Sequence, residues 1–219
     1  MTAVAVRPST GPTRAVALLL PGGRADSLEP TGERQLAGVR MLPFATVLHR
    51  RGAGLGLAVW TVRYRVRGWN GAQASPLPDV RSALDDVRRE HGDVPVVLVG
   101  HSMGGRAAMR VAGDGSVVGV VGLAPWLPDG EPVEQLAGRR VLIAHGNRDG
   151  VTSARSSRQF AARAADVTDA VFVTVRHERH AMVLRPRTWH ALTAAWLLDA
   201  LGWQPMPAAF ASAVANGAV

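Results

Sequence analysis

The stretch that most constrains this chain is Val94 to Ala112, VPVVLVGHSMGGRAAMRVA. From Val94 to Val99 it is apolar and mostly β-branched, with Pro95 near its start and no polar residue at alternate positions. Such a run reads as a strand buried on both faces, the kind found in the middle of a parallel sheet. It stops at Gly100, and His101-Ser102-Met103-Gly104-Gly105 leads straight into a helix carried by Arg106, Ala107, Ala108 and Met109. A serine therefore stands at the tip of a strand-to-helix turn, within Gly-x-Ser-x-Gly. The glycines let the two backbones approach where a Cβ would clash, and the serine is left strained with its hydroxyl exposed. The helix that follows directs its unpaired N–H groups at the space beside that hydroxyl.

Parallel strands need crossovers, and the rest of the chain supplies them. Arg14 to Leu20 (RAVALLL) is a second buried strand, closed by Pro21-Gly22-Gly23-Arg24. Thr31 is placed to cap a helix from about Gly32 to Arg50, with Leu36, Val39, Val47 and Leu48 toward the core and Pro43 as a kink. Leu57 to Val66 alternates as a strand with one more exposed face, and Pro78-Asp79 opens a helix with Val80, Ala83, Leu84 and Val87 at helical spacing. Ser116 to Ala124, Arg140 to Ala144 and Val171 to Val175 are further buried strands. Thr152 or Ser153 caps a helix carrying Phe160, Ala161 and Ala164, and a last helix from about Pro186 places Trp189, Leu192 and Trp196 on one face. The prediction is one α/β domain over residues 14–203, with a mostly parallel sheet of about six to seven strands, helices on both faces, and function at the carboxyl ends of the strands. Residues 1–13 are expected as an extension, either one edge strand or disordered, and 204–219 as a flexible tail.

Composition narrows the function classes. At 219 residues and 47% hydrophobic, the chain supports a substantial single core. No apolar run approaches 18 residues, the length of a membrane span, and the N-terminus lacks a basic segment followed by an apolar one, so a cytoplasmic protein is expected. The absence of cysteine excludes disulfides and thiol catalysis. The formal charge is +8, and every basic residue is arginine. These arginines are scattered (Arg40, Arg63, Arg88, Arg110, Arg139, Arg163), not clustered as a nucleic-acid surface would have them. Nucleic acid is therefore set aside as a partner, and no oligomeric state follows from the sequence.

From its strand–Gly-x-Ser-x-Gly–helix unit onward, the chain resembles the α/β-hydrolase family over nearly everything from Arg14 to Trp203, and in particular small, lidless, dienelactone-hydrolase-like serine hydrolases. The family's chain order is Ser, then Asp or Glu, then His. Ser102, Asp149 and His180 satisfy it, each at the end of a predicted strand. A serine hydroxyl needs a base within reach and the base needs an orienting carboxylate, which gives each residue its role. The resemblance also implies an oxyanion hole. Members often carry His-Gly-x after the first buried strand; here proline replaces the histidine and Gly23 falls at the donor position, with the Met103 N–H as second donor.

Seven histidines compete for the base. His49 and His91 precede the nucleophile at helix ends, His101 is inside the elbow, and His190 is within the last helix. In His145-Gly146-Asn147-Arg148-Asp149 the family's functional residue is the later aspartate, which leaves His177 and the favoured His180, just ahead of the last helix. Asp129 is the reserve carboxylate. Only Pro125 to Arg139 separates two strands where many members insert a lid, so the pocket is expected to be shallow and without a sizeable cap. Arg24, Trp126 and Leu127 are candidates for its wall. The function implied is cleavage of a small-molecule ester or thioester through an acyl-enzyme, with no metal or organic cofactor. The same parts also serve acyl transfer, cyclisation or carbon–carbon cleavage in this fold, and a basic binding protein is the reading outside enzymes.

Overall fold

The computed structural model describes residues 3–32 and 35–219. The apolar runs form β2 (Ala15–Leu20), β3 (Leu57–Arg63), β4 (Val96–His101), β5 (Val117–Leu123), β6 (Arg140–Gly146) and β7 (Asp169–Val175), preceded by β1 (Ala3–Arg7). They make one seven-stranded sheet in the order β1-β3-β2-β4-β5-β6-β7. All neighbours are parallel except β1, which runs antiparallel along the outer edge of β3. The chain steps outward from β2 to β3 and then returns to the other side as β4, so the strand order reverses between β2 and β4. Crevices form outside the carboxyl ends of strands at such reversals, and the register places Leu20 beside Gly100 there.

Side chains alternate across the sheet with period two. Val16, Leu18 and Leu20 pack on the face covered by α2 (Pro76–His91), α3 (Met103–Val111) and α4 (Ala154–Ala165). Ala15, Ala17 and Leu19 pack on the opposite face, under α1 (Leu36–Gly52) and α5 (Pro186–Ala200). Trp189, Leu192 and Trp196 of α5 are buried there as their spacing predicts. The fold is thus the α/β-hydrolase arrangement of helices on both faces of a mostly parallel sheet, and the short Pro125–Arg139 connection carries only one turn of tight helix, with no cap domain.

Three local expectations differ from the structure. In α1 the buried stripe is Met41, Phe44, Ala45 and Leu48, a helical i, i+3, i+4, i+7 series, while Leu36 and Val39 face solvent. The helix is preceded by Gln35, which makes no side-chain cap; Thr31 Oγ1 is buried without a hydrogen-bond partner among the described residues, and Glu33 and Arg34, inside the expected helix start, lie outside them. The segment 204–219 forms α6 (Ala208–Ala215) and folds back on β7. β7 is an edge strand with an unpaired row of backbone groups. Its Thr174 N–H donates to the Gly217 carbonyl at 2.9 Å, and the Val219 N–H to the Thr174 carbonyl at 2.9 Å. Phe210 and Val214 add apolar contact with the adjoining core.

Candidate active site

The elbow forms because β4 carries a glycine, Gly100, next to its last residue His101, and α3 begins two residues after that end, at Met103. Ser102 sits between them at φ 55°, ψ −119°, a backbone conformation that L-residues adopt only under constraint. The constraint is visible in its backbone bonds. Its N–H donates to the Leu123 carbonyl at 3.0 Å, and its carbonyl accepts the N–H groups of Gly105 (3.0 Å) and Trp126 (3.0 Å). Gly104 lets α3 lie directly over the end of β2, where a Cβ would overlap the Leu20 carbonyl oxygen. Ser102 is 8% exposed, and its hydroxyl makes no hydrogen bond among the described residues.

The end of β2 passes beside this serine. A Cβ on Gly22 would lie 3.3 Å from that of Ser102. One on Gly23 would stand 2.5 Å from the Arg67 carbonyl and overlap the end of the Met103 side chain. Only a bare backbone fits so close to the nucleophile. Among the described residues, neither the Gly23 nor the Met103 N–H has a hydrogen-bond acceptor. Arg24 is exposed, and its backbone is fixed by N–H donation to the Arg67 carbonyl at 2.9 Å.

Asp149 and His180 come together at the same rim. His180 Nδ1 lies 2.8 Å from Asp149 Oδ2. The other carboxylate oxygen accepts the N–H groups of Val151 (2.7 Å) and Thr152 (3.0 Å), so the turn after β6 wraps its own side chain. Oδ2 also meets Thr152 Oγ1 at 2.9 Å and, from within β6, His145 Nε2 at 3.1 Å. Burial pushes the Asp149 carboxyl upward, but bonds from His145, His180 and the Thr152 and Val151 amides outweigh it and hold the group well below the usual carboxylate range. Asp149 is an anion at neutral pH.

Two neighbours set the His180 loop. His101 Nε2 lies 3.1 Å from the His180 carbonyl oxygen. The carboxylate of Glu178, fully buried, accepts the N–H groups of Arg179 (2.8 Å) and Arg185 (2.7 Å), tying the loop's start to its end at α5. The remaining histidines are elsewhere: His177 is exposed with its N–H on Asn147 Oδ1, and His190 packs edge-on against Phe44. Asp129 is exposed.

Trp126 stands beside Ser102 through its N–H, and its indole meets that of Trp69 edge to face at 6.3 Å between centroids. The Arg106 guanidinium lies over both rings, 3.9 Å from the Trp69 centroid and 4.7 Å from that of Trp126, and pairs with buried Glu131. Leu127, expected on the wall, is instead 4% exposed and belongs to the core under α3 and α4, because the chain has turned back into the protein by that residue. A cavity of about 420 Å³ adjoins Gly22, between the start of α1 and the end of β3, and none of Ser102, Asp149 and His180 lines it.

Sequence reasoning misses His145 and Thr152 as partners of Asp149, and misses Glu178 and the Arg106–Glu131 pair altogether. A polar residue immediately after or inside an otherwise apolar strand end is the one signal that points to His145.

The alpha/beta hydrolase family model matches residues 17–218. The chain therefore belongs to the alpha/beta hydrolase family. Among solved structures it is similar to a putative alpha/beta hydrolase of unknown function from Agrobacterium tumefaciens, at 18% identity, with 94% of each chain covered and a TM-score of 0.69. It is also similar to a lidless a/b serine hydrolase from Xanthomonas campestris, at 15% identity over 93% of this chain and 90% of that one, with a TM-score of 0.62. A third is esterase 2 of Thermogutta terrifontis, phosphonylated by cyclosarin, at 16% identity over 91% and 89% of the chains, with a TM-score of 0.66. No curated protein matches the chain. No helix among the described residues is long and apolar enough to cross a membrane.

Proposed function

We propose that this chain is a serine hydrolase that cleaves a carboxylic ester or thioester of a small molecule through an acyl-enzyme. The observation that carries the reading is the 2.8 Å contact between His180 Nδ1 and Asp149, on the strand-end rim that also carries strained Ser102. The anionic Asp149 accepts the Nδ1–H and leaves Nε2 as the base. Nε2 takes the Ser102 proton as Oγ attacks the carbonyl carbon, and the oxygen that becomes negative is met by the Gly23 and Met103 N–H groups. His180 returns the proton to the departing alkoxide or thiolate. Water, deprotonated by the same imidazole, then releases the acid and restores Ser102. The hydroxyl is not bonded to His180 in the free protein, and such bonds are commonly long until substrate closes them.

The test is covalent labelling with a fluorophosphonate together with turnover of short-chain nitrophenyl esters. Wild type labels and turns over, Ser102→Ala does neither, and Asp149→Asn loses about 10³- to 10⁴-fold in kcat. Equal labelling and turnover by wild type and Ser102→Ala overturns the reading.

A further inference from the structure

His145 is fully buried at the end of β6, and both of its ring nitrogens have partners. Nε2 is 3.1 Å from Asp149 Oδ2 and Nδ1 is 2.9 Å from Ser157 Oγ, which stands on α4. A carboxylate oxygen only accepts, so Nε2 carries the proton and donates it, and in the neutral ring Nδ1 accepts from the Ser157 hydroxyl. The oxygen that His145 reaches is Oδ2, the one that His180 uses at 2.8 Å, and not Oδ1, which the turn's own amides hold.

This difference in address separates a packing residue from a functional one. Asp149 belongs to a loop, and its backbone amide bonds come from the residues immediately following it, so they move with the loop. The bond from His145 comes from a sheet strand, and the ring is itself fixed by a helix. It ties Oδ2 to the rigid part of the molecule in the direction that faces His180. We propose that His145 is a positioning residue which, through Asp149, holds the His180 imidazole in the orientation needed to take the Ser102 proton. The proposal rests on the hydrolase reading above. His145 does not reach the serine and is not offered as an alternative base.

Two substitutions separate positioning from packing. His145→Gln carries an amide N–H near the place of Nε2 and restores the donor. His145→Leu fills a similar volume without one. The expected result for the leucine variant is a fall in kcat of about ten- to a hundredfold, the range seen when a partner that orients a functional side chain is removed, with KM within about twofold of wild type. The glutamine variant recovers most of that loss. Wild-type kcat in His145→Leu, or an equal fall in both variants tracking an equal fall in Tm, overturns the proposal. If His145→Leu does not fold, Ser157→Ala takes its place: it frees Nδ1 and leaves the ring, so a lower kcat at constant KM supports the role and wild-type kcat overturns it.

Proton NMR gives a readout independent of turnover. The far-downfield resonance of the proton between His180 and Asp149 shifts or broadens in His145→Leu and persists in His145→Gln. An unmoved resonance in the leucine variant counts against the role even where Ser102→Ala shows that the hydrolase reading has failed, so the two failures are told apart.

Discussion

His101 Nε2 donates to the backbone carbonyl of His180 at 3.1 Å, and the two imidazoles lie tilted against each other with centroids 4.8 Å apart. The residue before the nucleophile therefore holds the backbone of the candidate base. His101 Nδ1 is buried with no hydrogen-bond partner among the described residues. Burial first, and then the nearby His180 and Arg40, push its pKa down to about 3.

That displacement makes stability depend on pH in a definite direction. The unfolded chain protonates this histidine near pH 6.5, whereas the native state resists until about 3. Between those values the unfolded state binds more protons. The contribution is complete above about pH 6.5 and is lost as the pH falls toward 3, at up to about 1.4 kcal/mol per unit. Urea unfolding of wild type and His101→Gln at pH 7 and pH 5 reads it. Wild type is expected to lose about 2 kcal/mol more than the variant over that interval, and equal losses would contradict it.

Glu178 links the loop around His180 to the first turn of α5. Its carboxylate accepts from Arg179 at 2.8 Å and Arg185 at 2.7 Å and is wholly buried. Alanine removes the buried acceptor that both amides use, which costs up to about 3 kcal/mol. The loop also loosens, so kcat is expected to fall about tenfold at pH 7 by misplacing the imidazole. Thermal melting and ester turnover measured together check both effects, and a melt shift without a change in kcat would separate the loop's order from His180.

Gly23 has no room for a side chain between Arg67 and Met103. Gly23→Ala must displace the backbone after β2 or the Arg67 carbonyl and the Met103 side chain that it would overlap. If its N–H supports the oxyanion, kcat drops about 10²- to 10³-fold, while overpacking costs about 1–3 kcal/mol of stability. Labelling by the fluorophosphonate slows in proportion. Wild-type labelling rates in a folded Gly23→Ala protein would remove Gly23 from the oxyanion site.

The parts legible in the sequence are those that backbone physics writes locally. The turn at Ser102 announces itself because a buried strand, two glycines and a helix are consecutive. The nearness of Asp149 to His180 follows from both lying at carboxyl ends of neighbouring strands. Leu36 and Val39 mislead because α1 offers several apolar residues, and only the sheet beneath decides that Met41 and Phe44 face it. His145 and Glu178 leave no periodic trace: each matters through one partner brought close by topology. The final helix α6 is hidden by its alanine-rich composition, and what orders it is the open edge of β7.

Glu131 offers the sharpest test of how the wall beside Ser102 is held. It is 3% exposed, and its two oxygens meet Arg106 Nε and Arg110 Nε, each at 2.5 Å. Arg106 in turn lies over Trp69 and Trp126, and Trp126 donates to the Ser102 carbonyl at 3.0 Å. Removing one partner of a buried pair leaves uncompensated charge, so Glu131→Ala is expected to cost about 3–5 kcal/mol. Arg106→Met in the same protein removes the more buried guanidinium and should recover part of that loss, a positive coupling in the double-mutant cycle. Indole fluorescence of Trp69 and Trp126 would shift in Glu131→Ala as Arg106 leaves its seat. If the double variant is no more stable than Glu131→Ala alone, Glu131 acts through Arg110 or the loop backbone, and the indoles stand without it.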